Sequence, residues 1–146
     1  MLKKFSVENF KSFRNKMVFD LSKPGNYAFG KECIKDGIVS KGAIYGRSGI
    51  GKSNLGRALF DIVNHLTDKS KEPAKYQPFI NLSSQKPFAT FEYEFLFGNH
   101  ILVYKYTKKN VNDLLEESLS IDGIEMIFYD FRKVDLMRRP TISLKS

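Results

Sequence analysis

The spacing of hydrophobic positions changes character along the chain, and each change predicts an element. In KKFSVENF (3–10), Phe5 and Val7 alternate with polar neighbours, which predicts a strand with Phe5, Val7 and Asn9 on one face. The next stretch, FKSFRNKMVFDLS, reads as a turn around Lys11 and Ser12 followed by a second extended piece, MVFDL. Pro24, Gly25, Gly30 and Gly37 punctuate a loop over 23–37. GIVSKGAIYG (37–46) returns to a β pattern, and its uninterrupted GAIY portion suits a buried strand. From Gly51 the period lengthens. Leu55, Leu59, Ile62 and Leu66 recur every three to four residues, predicting an amphipathic helix that runs to about His65 or Leu66.

Beyond the polar stretch DKSKEPAKYQP (68–78), read as a surface loop, the pattern is β throughout. Phe91, Tyr93, Phe95 and Phe97 alternate with Thr90, Glu92, Glu94 and Leu96, and Gly98-Asn99 offers a tight turn into ILVYKYT. A second hairpin is expected about Asp122-Gly123, a pair suited to a type I′ turn. It places Leu115, Leu119 and Ile121 on one face of its first strand, and Ile124, Met126 and Phe128 on one face of its second. RKVDLMRRPTISLKS has no strong periodicity.

Composition narrows the field. The 146 residues are 42% hydrophobic, enough for one domain with a real core (1–146), in which 1–67 carries the early strands, Gly-rich loop and helix and 86–131 the hairpins. The single cysteine, Cys33, excludes an intrachain disulfide and reads as a loop or half-buried thiol. No apolar run approaches the roughly 18 residues of a membrane span, and the basic N-terminus lacks an apolar signal core, so the expected location is cytoplasmic with no membrane partner. The net charge of +8 is unevenly placed: residues 1–75 hold 15 Lys/Arg against 7 Asp/Glu, whereas 76–146 hold nine of each. A basic field of this kind suits a nucleotide or a nucleic acid.

The chemistry-bearing segment is GRSGIGKS (46–53), a full match to G-x-x-x-x-G-K-[ST]. Gly46, Gly49 and Gly51 free the backbone to turn its N–H groups toward a phosphate. Lys52 would act as the catalytic cation on the β- and γ-phosphates, and the Ser53 hydroxyl would be the Mg²⁺ ligand. Arg47, Ser48 and Ile50 complete the loop, and the helix starting near Gly51 would aim its positive end at the same group. The expected cofactors are ATP and Mg²⁺. The expected context is an α/β P-loop lobe with a strand through GAIY before the loop and a helix after it.

Three segments carry a family resemblance: KKFSVENFKSFRN at the start, IYGRSGIGKSNLGRAL in the middle and FATFEYEFLFGNHILVYKY beyond. The chain resembles the AAA/ABC-type ATPases of the recombination and chromosome-maintenance superfamily, in particular the overcoming-lysogenization-defect-like ATPases of phage-defence and abortive-infection systems. The resemblance covers residues 1 to about 130 and implies an ABC-type N-terminal lobe with antiparallel hairpins after the main helix. It implies that Lys11 and Ser12, within Asn9, Phe10, Lys11, Ser12 and Phe13, lie near the nucleotide, and that Asn54 adjoins it. From the residues alone, Lys11 and Ser12 equally suit an ordinary polar turn.

The resemblance also implies pieces that this chain does not display, among them an apolar strand ending in Asp-Glu and a late His. Asp130 after MIFY, and Gln85, are the nearest local candidates for metal ligation; His65 suits a helix-end cap and His100 a hairpin end. The expectation is therefore an ATP-binding lobe that hydrolyses ATP only when completed by a C-terminal partner chain or half and a second subunit, with DNA as a further partner. Two other classes stand beside it: a nucleotide-dependent interaction module without turnover, and a basic nucleic-acid-binding protein in which VYKYTKK (103–109) supplies stacking aromatics.

Overall fold

The computed structural model describes residues 1–26, 28–67 and 77–133. Strand β1 (Leu2–Glu8) pairs antiparallel with β2 (Met17–Asp20), in register Phe5 to Phe19. The turn between them is set by Asn9 and Lys11, both at positive φ. It is closed by Phe10 N–H to Phe13 O (3.0 Å) and Phe13 N–H to Phe10 O (2.8 Å). A small hairpin, β3 (Ile34–Lys35) and β4 (Ile38–Val39), follows a single 3₁₀ turn at Lys31–Cys33. Residues 40–47 form neither helix nor strand. Helices α1 (Lys52–Leu59) and α2 (Asp61–Leu66) come next, then β5 (Ala89–Phe97), β6 (His100–Lys108), β7 (Leu114–Ile121) and β8 (Ile124–Asp130).

The main sheet has the order β2-β1-β5-β6-β7-β8, and every neighbouring pair in it is antiparallel. This corrects the expected fold. The resemblance to the AAA/ABC-type ATPases, and the P-loop NTPase lobe it implied, needs a strand delivering the phosphate loop from a parallel sheet. Here GAIY enters no sheet among the described residues, and the sheet that exists is antiparallel throughout. The AAA-family, phage-defence and abortive-infection assignments rested on that resemblance and fall with it.

Both long hairpins form where the sequence expects them. Asp122 (φ 51°) and Gly123 (φ 80°) take the paired positive angles of a type I′ turn. A register irregularity between Leu119 and Ser120 shifts β8, so that Leu119 faces Ile127 and Ile121 faces Ile124. Phe128 is thereby paired with Ser118 instead of joining Ile124 on one face. A bulge adds one residue to one strand, and side chains beyond it change faces.

One face of the sheet is the core. Phe5, Val7, Phe91, Tyr93 and Tyr106 are buried there against Ala58 of α1, with Leu55, Leu59 and Ile62 packed at the margin. Phe10 folds over the strand end, 5.0 Å from Phe79 and 5.2 Å from Phe91 between ring centres. Tyr104 and Tyr106 of VYKYTKK also point inward, stacking against or bonding to His65 of α2, so they are not stacking platforms for bases. The opposite face is polar, with Glu94 bridged by Lys3 (2.7 Å) and Lys4 (3.6 Å) and Glu92 by Lys16 (3.5 Å).

The expected single helix is broken at Phe60, whose φ of −88° and ψ of 1° leave the helical region. The break turns Asp61 onto the sheet, where it is fully buried and accepts hydrogen bonds from Tyr106 Oη and Lys108 Nζ, both at 2.8 Å. Tyr93 Oη donates to the Ala58 carbonyl (2.9 Å), which anchors the end of α1. A buried ion pair thus fixes the helices on the sheet. No described helix is long and apolar enough to cross a membrane.

Candidate functional site

Most of the Gly-rich loop is exposed: every residue from 41 to 50 lies at the surface, while Gly51 and Lys52 are half-buried. Gly49 (φ 79°) and Gly51 (φ 102°) take the left-handed conformation that glycine alone adopts without strain. Lys52 turns inward on its own loop, its Nζ donating to the carbonyls of Gly46 and Arg47 at 2.6 Å each. Helix α1 begins at Lys52 with Gly51 as its cap residue and no side chain closing its first turn. Its initial N–H groups, with the positive end of the helix, therefore face outward.

The turn at 9–13 abuts this helix start. A Cβ on Gly51 would lie 3.2 Å from Ser12 Oγ, so the two segments touch. Asn54 Nδ2 donates to Ser12 Oγ (3.0 Å), and Arg57 Nη1 donates to Asn54 Oδ1 (3.3 Å). The chain Ser12–Asn54–Arg57 lines one wall of an open cleft of about 360 Å³, with Lys11 beside it and residues 77–83 opposite. That opposite wall is tied back to the turn. Lys11 N–H donates to Phe79 O (3.0 Å), Asn81 Nδ2 to Lys11 O (2.6 Å), and Lys11 Nζ to Pro78 O (3.3 Å). Beneath it, the fully buried Asn9 donates from Nδ2 to Lys86 O and Phe88 O, both at 2.7 Å.

The electrostatics of the cleft are one-sided. Among the described residues, no carboxylate lines it or the adjoining hollow at the loop, which Asn54 shares. Partial burial lowers the pKa of Lys11, and the positive charge of Arg57 lowers it further. Burial and the Arg57 charge both disfavour the charged form of Lys11, and an anion in the cleft would favour it.

Of the sequence-predicted residues, the structure brings together Lys11, Ser12, Gly51, Lys52, Ser53 and Asn54. Asp130 is not with them. It lies at the end of the outermost strand β8, where the Arg132 guanidinium holds its carboxyl below the usual range (Nε to Oδ1 3.0 Å). Gln85 is exposed in the segment leading to β5. His65 does not cap helix carbonyls; its Nε2 lies 2.7 Å from Tyr104 Oη and its ring stacks on Tyr106 at 4.2 Å. Because Tyr104 Oη donates to Glu117 (2.8 Å), that Nε2 must carry the hydrogen. His100 pairs with Asp122 across the hairpin ends at 2.7 Å. Cys33 is half-buried. Among the described residues no group of three or more His, Cys, Asp or Glu is arranged to hold a metal ion.

Arg57 and Asn81 are among the cleft residues that were not singled out in the sequence. Arg57 had a signal, lying one helical turn beyond Asn54 and so on the same face. Asn81 had none, because its role depends on a contact across 70 residues. ATP binding through a Walker A loop, and hydrolysis built upon it, are not supported by this geometry: no strand leads into the loop and no parallel sheet carries it. No protein-family model matches the chain, and no curated protein is significantly similar to it.

Proposed function

We propose that the cleft between the turn at 9–13, helix α1 and residues 77–83 binds the phosphodiester backbone of a nucleic acid, with DNA as the partner, and performs no chemistry on it. The observation that carries this reading is that Lys11 and Arg57 line one cleft, whose described lining adds amide and hydroxyl groups of Ser12, Asn54, Gln77, Asn81 and Ser83. Lysine and arginine with side-chain amides and an open helix start are the groups that contact phosphate oxygens in protein–DNA interfaces. The excess of positive charge within residues 1–75 supports the same partner.

Fluorescence anisotropy with labelled single- and double-stranded oligonucleotides across a salt series tests it. Binding is expected to weaken steeply with salt, and the Lys11→Ala/Arg57→Ala double variant to flatten the slope by about one to two. Absence of binding at low salt, or an unchanged slope in the double variant, overturns the reading. ATP with Mg²⁺, the cofactors expected from the loop, enters as a competitor. Displacement of the oligonucleotide only by ATP–Mg²⁺, and not by unlabelled oligonucleotide, would transfer the cleft to a small phosphate ligand. Light scattering on the same samples reads self-association, the other partnership the sequence suggested.

A further inference from the structure

Residues 42–45, Gly-Ala-Ile-Tyr, combine the composition of an interior strand with the environment of a surface loop. Ile44 is 52% and Tyr45 90% exposed. Adjacent residues of an extended chain point to opposite sides, so both sides of this segment are open. None of its backbone N–H or C=O groups is hydrogen-bonded among the described residues. Ala43, Ile44 and Tyr45 are all absent from the positive-φ residues, so none is held in the left-handed conformation that strand pairing excludes.

A contiguous run of apolar side chains with free backbone donors and acceptors is what strand addition uses. Main-chain bonds supply the affinity, and alternate side chains supply the selection. The flanks say which strand fits. Lys41 and Arg47 bracket the segment, about 20 Å apart if extended, and neither makes an ion pair among the described residues. A second copy of this chain is a poor occupant. Antiparallel self-pairing centred on Ile44 sets Lys41 opposite Arg47, and parallel pairing sets each cation against itself. Like charges directly opposite destabilise a strand pair, whereas opposite charges stabilise it.

We infer that residues 41–47 are a docking edge for an extended, β-branched segment of a different protein, carrying an acidic residue at each end. The partner's backbone pairs with the N–H and C=O groups on the facing edge of 42–45, its carboxylates meet Lys41 and Arg47, and its side chains cover Ile44 and Tyr45. This surface is separate from the Lys11–Arg57 cleft, and its occupant is a peptide strand and not a phosphate chain.

The test uses the full chain and a fluorescein-labelled peptide of about seven residues, matching 41–47, with Asp at both ends and Val, Thr and Ile between them. Saturable binding is expected. The same peptide with alternate backbone nitrogens methylated should lose binding, since it cannot donate its half of the ladder. A version with Lys at both ends should bind about threefold to tenfold more weakly. On the protein side, Ile44→Pro removes one N–H and should abolish binding, with far-UV circular dichroism checking that the sheet is intact. Because two of these comparisons alter only the peptide, misfolding of a variant cannot mimic them. No binding by the Asp-ended peptide, equal binding by the methylated or Lys-ended peptide, or a concentration-dependent dimer abolished by Ile44→Pro would each overturn the inference. The assay contains no nucleic acid, so its outcome is independent of the cleft.

Discussion

The sheet region built from β5 to β8 and the segment at 40–51 treat their polar groups in opposite ways. In the sheet, Tyr93, Tyr106 and Lys108 lie out of water with Asp61 of α2 above them, and the four are joined to one another or to the Ala58 carbonyl at 2.8–3.3 Å. In the Gly-rich segment, backbone and side chains are at the surface, and Lys52 finds its partners only in its own loop. The first region pairs most of its polar groups within the fold, Asp61 Oδ1 excepted, whereas the backbone of 42–45 in the second has no partner among the described residues. The difference teaches that a strong local motif and a strong local structure need not coincide in one segment.

The largest effect expected on this contrast comes from Lys108→Ala. It leaves Asp61 charged, buried and facing only the Tyr106 hydroxyl, and removing one partner of a buried pair costs about 3–5 kcal/mol. Urea unfolding followed by circular dichroism should show a loss of that size, and a loss below about 1 kcal/mol would mean that the pair does not hold α2 on the sheet.

A smaller effect is expected at Glu117, where the contrast is sharpened by pH. His65 Nε2, 3.6 Å away, holds its carboxyl below the usual range against the opposing effect of burial, aided by the hydrogen bond from Tyr104. A depressed carboxylate contributes stability above the unfolded value of about 4.3 and loses it as pH falls through the folded value. Urea midpoints measured from neutral pH downward should therefore drop below about pH 4.3, and Glu117→Gln should flatten that limb. With the pair part-exposed, the loss at neutral pH should be about 1 kcal/mol or less. An acid limb unchanged by the substitution would remove Glu117 from the network.

The smallest effect should come from Tyr45→Ala. With the ring 90% exposed, the stability of the chain alone should change by no more than about 0.5 kcal/mol in the same assay. A loss near that of Lys108→Ala would show that the Gly-rich segment is as integral to the fold as the sheet, and the comparison would collapse.

Much of the fold was legible because alternation and turn chemistry are local. Phe91, Tyr93 and Phe95 announced β5, and Asp122-Gly123 announced the turn to β8. The bulge at Leu119 was not legible, since it is settled by how two strands share hydrogen bonds and leaves no mark on either strand. GAIY was misread for the same reason. An apolar run states that a segment can be a strand, but only neighbouring strands with free edges make it one. The helix break at Phe60 also escaped the periodicity, because Leu55, Leu59, Ile62 and Leu66 keep helical spacing through it.

At the site, the sequence by itself determined the loop glycines, the start of α1 and a turn around Lys11 and Ser12, all consequences of backbone sterics within a few residues, though not that Asn9 joins that turn at positive φ. The tertiary structure alone decided that Lys11 meets Arg57, that Asn81 holds the turn from across the cleft, and that Asp61 meets Lys108 beneath α2. It alone also decided that β1 pairs with β5 and β6 with β7, both antiparallel, and that the loop lies outside the sheet. These outcomes depend on which distant segments pack together. That choice is made by burial summed over the whole chain, and no short window of sequence contains it.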